Sequence, residues 1–137
     1  MESPVLTVDA GTDALACART MRERHKGYAI LLEGGHVAGI VTEWDFVEKI
    51  VAAGADPSRT PVGSIATKTV HDCSPDTPTD EVVSRMAKEG IRRMIVRSGD
   101  QVLGIITART VLANFRQYVD QLSSEIAGYH SDPNPLG

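Results

Sequence analysis

The chain repeats one segment of its own sequence, and this repeat limits the possible folds more than any other feature. Residues 5–47 align with residues 70–112 at a constant offset of 65 residues without a gap, giving 9 identities in 43 pairs. Chance matching at ordinary residue usage gives roughly 3. The tract Gly-Ile-(Val/Ile)-Thr stands at 39–42 and again at 104–107. A repeat of this period predicts one structural unit present twice in tandem.

Each copy carries strand and helix signals in the order β-α-β-β-α. In the second copy, Thr77 is a candidate N-cap, Pro78 suits the first helical position and Gly90 ends the helix. The tract SGDQ predicts a hairpin turn between RMIVRS and VLGIIT, and another helix begins near Ala108. The first copy predicts strands and helices in the same order: strand 5–8, helix 13–25, strand 28–32, strand 36–41 and helix 43–53.

This pattern predicts an α/β (α+β) fold built from two packed units. The predicted boundaries are 1–55 for the first repeat, 56–69 for a linker with a helical turn at Pro61-Val62, 70–126 for the second repeat with an extended C-terminal helix, and 127–137 for a disordered tail. One unit of about 45 residues buries too little surface to be stable alone. Two copies packed sheet to sheet around a pseudo-two-fold axis bury both apolar faces.

Composition excludes several classes of protein. The net charge of −4 argues mildly against a nucleic-acid or anionic-membrane surface, although it is compatible with a local basic patch. No apolar run approaches the ~20 residues that span a bilayer, and the first residues lack the pattern of a signal peptide. Two cysteines, Cys17 and Cys73, indicate a reduced cytoplasmic protein rather than a disulfide scaffold, and Cys17 falls on an apolar helix face that predicts core packing.

Motifs for catalysis and metal binding are absent from the sequence. The four histidines show no metal-ligand spacing among themselves or with the cysteines: His25, His36, His71 and His130. No Ser/His/Asp grouping, Walker loop or GxGxxG tract occurs. The sequence therefore predicts a protein that is not an enzyme and has neither a metal nor a resident cofactor.

Several tracts together resemble one known family, the cystathionine-β-synthase (CBS) domain pair or Bateman module. They are GIVTEWD at 39–45, GIIT at 104–107, GIRRMIV at 90–96, Thr-Pro-Val at 60–62 and Pro-Asp-Thr-Pro at 75–78. The resemblance covers about residues 4–120. It implies a regulatory module that binds AMP, ADP, ATP or S-adenosylmethionine between its repeats, forms a homodimer and signals to a target protein.

The resemblance also implies which residues bind the ligand in the first cleft. Asp45 accepts hydrogen bonds from the ribose hydroxyls, Thr42 contacts phosphate, and Thr67 with its neighbours frames the adenine. These roles suit the chemistry, because a carboxylate at a helix N-terminus accepts two donors and an adenine needs an apolar slot. The implied site consists of Thr42, Asp45, Lys26, Tyr28, Ile65, Thr67, Val70 and His71.

The second cleft is expected to bind more weakly. Thr110 replaces the acid, although two neighbouring arginines suit a phosphate group. Its implied residues are Arg92, Arg93, Thr107, Thr110 and Val5.

Each of these roles has an alternative. Asp45 can act on the helix dipole alone, Thr42 can be only an N-cap, and Thr67 can be an ordinary linker residue. The two arginines can be exposed strand-edge charges. The absence of an acid at Thr110 in the second repeat also favours a different function, a dimeric interaction scaffold that binds no ligand.

Apolar residues on two helices predict the homodimer. Each helix carries more of them than one small sheet covers, and large exposed apolar patches mark interfaces. Trp44 either stacks on a base or belongs to this contact. The residues are Trp44, Phe46, Val47, Ile50 and Val51 in one helix, and Val111, Leu112, Phe115, Tyr118, Val119 and Leu122 in the other.

Overall fold

The computed structural model of the protein describes residues 5–113, 119–120 and 122–124. It confirms the order β-α-β-β-α in both repeats. The strands are β1 (Thr7–Asp9), β2 (Tyr28–Glu33), β3 (His36–Thr42), β4 (Asp72–Cys73), β5 (Arg93–Ser98) and β6 (Gln101–Thr107). The α-helices are α1 (Ala14–Arg24), α2 (Glu43–Phe46) and α3 (Thr79–Glu89), and residues 108–113 are also helical.

The strands form two three-stranded sheets with the same topology. In the first sheet β1 runs parallel to β2 and β2 antiparallel to β3, and β4, β5 and β6 repeat this arrangement. Ile30 lies opposite Ile40, while Ile95 lies opposite Ile105. Each hairpin also has a register shift at the same offset. The sequence offset is therefore also an offset in strand register.

Three apolar clusters hold the fold together. One packs the first sheet against its helices, and a second does the same in the other repeat. The third contains buried residues from both sheets: Tyr28, Ile30, Ile95 and Ile105. Because this cluster draws side chains from β2, β5 and β6, the two sheets face each other as predicted.

The ends of α3 show one correct prediction and one wrong one. Gly90 adopts the left-handed conformation at φ 64° and ends the helix as expected. The N-cap is Pro78 rather than Thr77. The Thr77 hydroxyl instead accepts a hydrogen bond from the Ser74 N–H at 3.0 Å, so it closes the preceding turn and the helix starts one residue later.

The helix after β3 also departs from the prediction. Instead of one α-helix over 43–53, α2 is followed by a π-helix, Val47–Val51, in which the Ala52 N–H bonds to the Val47 carbonyl at 2.8 Å. β-Branched side chains crowd the preceding turn of an α-helix, and this segment has three of them. The wider turn buries Ile50 in the first repeat while Val51 stays exposed.

The linker packs on the first repeat. Its two short 3₁₀-helices are Pro57–Arg59 and Val62–Ser64, and the second confirms the predicted turn after Pro61. Val62 is fully buried, and its N–H bonds to the Thr12 carbonyl at 2.7 Å. Gly63 approaches Ala10 so closely that a Cβ atom there would lie 3.0 Å from the Ala10 carbonyl oxygen. These contacts place the rest of the linker beside the first sheet.

Candidate functional site

The candidate site starts where β3 ends and α2 begins. Thr42 is the helix N-cap, and its backbone N–H donates to Asp45 Oδ2 at 2.9 Å. The Thr42 hydroxyl lies 3.2 Å from the same oxygen. Asp45 is only 6% exposed and is the one buried charged residue among those that the structure describes. The reciprocal capping contacts between these residues hold the carboxylate in one orientation.

Lys49 brings a cation to this carboxylate and is not among the predicted site residues. Its Nζ atom lies 3.4 Å from Asp45 Oδ1 and donates to the Ile65 carbonyl at 2.9 Å. The i, i+4 spacing of Asp45 and Lys49 was a signal that could have indicated the pair. The contact with Ile65 had no such signal, because the two residues are 16 positions apart.

The linker continues from Ile65 along the edge of β3. Thr67 forms an antiparallel bridge with Ile40, with hydrogen bonds of 2.9 Å in both directions. A Cβ atom at Gly39 would lie 2.8 Å from the Thr67 carbonyl oxygen, so the glycine permits this approach. The structure therefore brings four of the predicted residues to one end of β3: Thr42, Asp45, Ile65 and Thr67.

The other predicted residues of the first cleft lie in different surroundings. Tyr28 is buried in the cluster between the sheets, directly opposite Thr42 in register, and Val70 packs against the same cluster. Lys26 lines a shallow pocket with residues of α1 and α2. His71 Nδ1 lies 3.2 Å from the Glu89 carboxylate at the end of α3.

The second cleft has the same backbone arrangement with neutral groups. The Thr110 N–H donates to the Thr107 hydroxyl at 3.1 Å, and the two hydroxyls lie 3.0 Å apart. Arg93 lies opposite Thr107 in register, and the Arg92 carbonyl accepts from the Ala108 N–H. Val5 packs against the cluster between the sheets.

Both arginine side chains are exposed, and neither forms an ion pair within the described part of the chain. The second cleft thus has cations but no carboxylate at the helix start.

Neither thiol is set up as a nucleophile or metal ligand. Cys17 is fully buried, and burial raises its pKa from 9.0 to about 11. Burial also raises the pKa of Cys73, against the opposing charge of Arg85. Over the described residues, no group of three or more His, Cys, Asp and Glu side chains could hold a metal ion, and no helix has the length and apolarity to cross a membrane.

The repeated β-α-β-β-α fold, with a threonine at the start of the helix after each hairpin, defines a family. The sequence model of the CBS-domain family matches residues 1–52 of this chain and again residues 62–116. The chain therefore belongs to the CBS-domain family and contains two CBS repeats, and domains of this family are generally regulatory modules.

Proteins from several organisms are similar to this chain in sequence. An uncharacterized protein of Methanopyrus kandleri is 32% identical over 110 residues, which are 79% of this chain and 56% of that protein. The CBS domain-containing protein YhcV of Bacillus subtilis is 25% identical over 93% of this chain and 86% of its own length. An L-aspartate semialdehyde sulfurtransferase of Methanosarcina acetivorans is 34% identical, but the match spans only 16% of it and 61% of this chain.

Solved structures share the fold. A CBS-domain-containing protein from Agrobacterium tumefaciens superposes with a TM-score of 0.70 at 27% identity, covering 80% of this chain and 88% of that one. A CBS domain protein of Pyrobaculum aerophilum, complexed with AMP, superposes with a TM-score of 0.68 at 19% identity, covering 80% and 85%.

Proposed function

We propose that this CBS pair is a regulatory sensor that binds adenosine-containing ligands in its first cleft and signals their presence to a target protein. The observation that carries the proposal is the buried Asp45 carboxylate, which is oriented at a helix start beside the linker to the second repeat. Membership of a regulatory family supports it, and so does the AMP complex of the Pyrobaculum aerophilum neighbour.

The proposed roles follow from the chemistry of each group. A ribose has two vicinal hydroxyl donors, and Asp45 is an anionic acceptor held in one orientation. Thr42 and the first turn of α2 suit a phosphate oxygen. Thr67 lies at the edge of the sheet, where its side chain and the backbone of Ile65 and Val70 frame an adenine. Tyr28, Lys26 and His71 complete the proposed set.

The second cleft is proposed as a weaker site. Thr110 offers a hydroxyl in place of a carboxylate, so a charge-assisted hydrogen bond to ribose becomes a neutral one. Arg92 and Arg93 oppose this difference, because they attract phosphate groups. The preference for the first cleft is therefore expected to be clear for AMP and smaller for ATP, whose longer phosphate chain uses the arginines more.

Thermal denaturation with AMP, ADP, ATP and S-adenosylmethionine tests whether a ligand binds at all. A ligand at 100 times its Kd stabilises the fold by about 2.7 kcal/mol. If none of the four raises the Tm, the sensor proposal fails. The alternative, a dimeric interaction scaffold without a ligand, then stands, and the internal partners of Asp45 favour it.

Titration calorimetry of two variants then identifies the cleft. Asp45→Ala is expected to weaken AMP binding about 10- to 150-fold, because charge-assisted hydrogen bonds contribute about 1.5–3 kcal/mol. Asp80→Ala, which removes an exposed acid from the first turn of α3, is the matched control. If Asp45→Ala does not fold, Asp45→Asn replaces it in the titration, because it keeps the side-chain shape and removes the charge. If Arg92→Ala abolishes AMP binding while Asp45→Ala does not change it, the second cleft is the functional one.

A homodimer is the proposed assembly. Trp44, Val47 and Val51 are 65%, 46% and 76% exposed and recur along one helical segment. Light scattering is expected to give twice the chain mass of 14.7 kDa. Trp44→Lys should reduce the mass to one chain, whereas Val83→Lys, at another exposed valine on α3, should not. A wild-type monomer at micromolar concentration contradicts this assembly.

The remaining proposals concern chemistry and location. The family is regulatory, and we assign this chain no catalytic residue. The relative named as a sulfurtransferase shares only a small part of its length with this chain. The two free cysteines, Cys17 and Cys73, support a place in the reducing cytoplasm.

A further inference from the structure

The Asp45 carboxylate already has a cationic partner within its own chain. Lys49 Nζ lies 3.4 Å from Asp45 Oδ1 and 2.9 Å from the Ile65 carbonyl oxygen. We call these three groups the lysine bridge. It joins the start of α2, the π-helix and the linker.

The bridge uses the oxygen of Asp45 that capping leaves available. Both contacts from Thr42 go to Oδ2, so Oδ1 is the atom that faces Lys49. The Asp45 side chain is 9% exposed, whereas the Lys49 side chain is 40% exposed. A ribose hydroxyl that donates to Oδ1 therefore meets an oxygen beside an ammonium group, and the two donors compete for it.

The other end of the bridge lies in the segment that connects the repeats. Ile65 is 4% exposed and packs in the core of the first repeat. Two residues later Thr67 bonds to Ile40, and the chain then enters β4. A change in the hydrogen bond to the Ile65 carbonyl therefore acts on the segment that connects β3 of the first sheet to β4 of the second.

The second repeat does not have the same pair in its sequence. At the offset of 65 residues, Asp45 corresponds to Thr110 and Lys49 corresponds to Asn114. Neither of these residues carries a charge, so the bridge belongs to the first cleft alone.

We infer that Lys49 is a positioning residue that regulates the ribose site and transmits its occupancy to the linker. The inference rests on the proposed function. A ligand hydroxyl that takes Asp45 Oδ1 removes one of the two acceptors of the ammonium, so its hold on Ile65 weakens and the linker loosens. Ligand binding must first break the bridge. By linkage, the free energy with which the bridge stabilises the linker therefore makes the binding free energy of the ligand less favourable by the same amount.

Adenosine binding to Lys49→Met tests the competition. Adenosine is the probe because it has no phosphate that the ammonium could attract. The variant keeps the apolar stem and removes the charge, and it is expected to bind adenosine about two- to fivefold more tightly than wild type, since a partly exposed ion pair is broken before binding. Lys49→Arg keeps the charge and should bind as wild type does. Lys88→Met, at an exposed lysine in the last turn of α3, is the matched control.

A gain in affinity separates this role from a structural one, because damage to the fold weakens binding. Unchanged or weaker binding of adenosine by Lys49→Met, with the control at wild-type affinity, overturns the inference.

Amide hydrogen exchange across residues 65–67 tests the linker without relying on affinity. In ligand-free protein, Lys49→Met is expected to exchange about two- to fivefold faster there than wild type. At saturating adenosine, wild type and Lys49→Met should exchange equally, because neither protein then has the bridge and the adenine contacts are the same in both. Equal exchange of ligand-free wild type and variant shows that no bridge restrains the linker, and this overturns the inference even if adenosine binds. If adenosine does not bind wild type, the proposed function fails first, and the ligand-free exchange still shows whether the bridge exists.

Discussion

The two helix starts have the same backbone and different chemistry. Thr42 and Thr107 end equivalent strands, and in each repeat the backbone N–H three positions later donates to the threonine hydroxyl. In the first repeat that residue is Asp45, a buried carboxylate, and in the second it is Thr110, a hydroxyl. The symmetry of the fold therefore does not extend to the chemistry of the helix starts: the first has a carboxylate paired with Lys49, and the second has two hydroxyls.

A second difference lies between each sheet and its first helix. In the first repeat Val62 is fully buried in a cluster with Ala14, Cys17, Leu31 and Val41. At the equivalent positions the second repeat has a cavity of about 280 Å³, whose lining includes Thr79, Val82, Val96 and Ile106. The residue that matches Val62 at the offset is Ala127, which lies outside the described residues. The linker thus completes the core of the repeat that precedes it.

The largest expected effect concerns two buried isoleucines whose contributions to stability should be equal in the two repeats. Ile30 and Ile95 are 0% and 2% exposed and occupy equivalent places between the sheets. Ile30→Ala and Ile95→Ala should each lower the free energy of unfolding by about 2–5 kcal/mol, because each leaves a cavity in a packed core. Urea denaturation measures both. Val83→Ala, at an exposed site, should change stability by less than about 0.5 kcal/mol. Costs that differ by more than about 1 kcal/mol contradict symmetric packing between the sheets.

The two buried thiols should differ at alkaline pH. Folding raises the pKa of Cys17 from 9.0 to about 11, so its contribution is full below pH 9 and is lost as the pH rises to 11. The stability of wild type relative to Cys17→Ala should therefore fall by about 2–3 kcal/mol over this range. Urea denaturation at pH 8 and pH 11 measures the change. Cys73→Ala should show a smaller one, because Arg85 opposes the effect of burial. Equal changes for both variants contradict the stated surroundings of the thiols.

Truncation of a valine in each repeat tests the difference in core filling. Val62→Ala removes two buried methyl groups from the first core and is expected to cost about 1.5–2.5 kcal/mol. Val111 borders the cavity of the second repeat and is half-buried, so Val111→Ala should cost roughly half as much. Chemical denaturation of both variants gives the comparison. A larger cost at Val111 indicates that the cavity is filled in solution.

The smallest effect is expected when the side chains of Asp45 and Thr110 at the two helix starts are exchanged. Asp45→Thr gives the first cleft the chemistry of the second and should weaken AMP binding about two- to thirtyfold, since a charge-assisted hydrogen bond becomes a neutral one. Thr110→Asp should strengthen the second cleft in the same proportion. Calorimetry of the double variant is then expected to show the preferred site moved to the second repeat. If the double variant binds no AMP, the surroundings of the clefts matter more than these two side chains.

Much of the fold could be predicted because the repeat constrains it twice. The offset that aligns Ile30 with Ile95 also aligns their strand partners, so one pattern read in either copy supports the other. Local chemistry placed the end of α3 at Gly90 and the hairpin turn at SGDQ correctly. The errors were also local: at Thr77 the hydroxyl had two possible partners, and after Phe46 the spacing of Val47, Ile50 and Val51 predicts an α-helix where the structure has a π-helix.

The candidate site could be predicted only in part. The placement of Thr42 and Asp45 follows from a spacing of three residues at a helix start, which sequence shows directly. Lys49 and its bond to Ile65 were not predicted, because a lysine in a helix is ordinarily a solvated charge and the linker had no assigned position.

The sequence by itself determined the repeat, the order of the elements and the inequality of Asp45 and Thr110, because side-chain periodicity and local capping are properties of neighbouring residues. Only the tertiary structure decided that Val62 fills the first core, that Thr67 pairs with Ile40 and that Lys49 joins Asp45 to the linker. The physical reason is that these contacts join segments distant along the chain, and their geometry depends on how both sheets and the linker pack together.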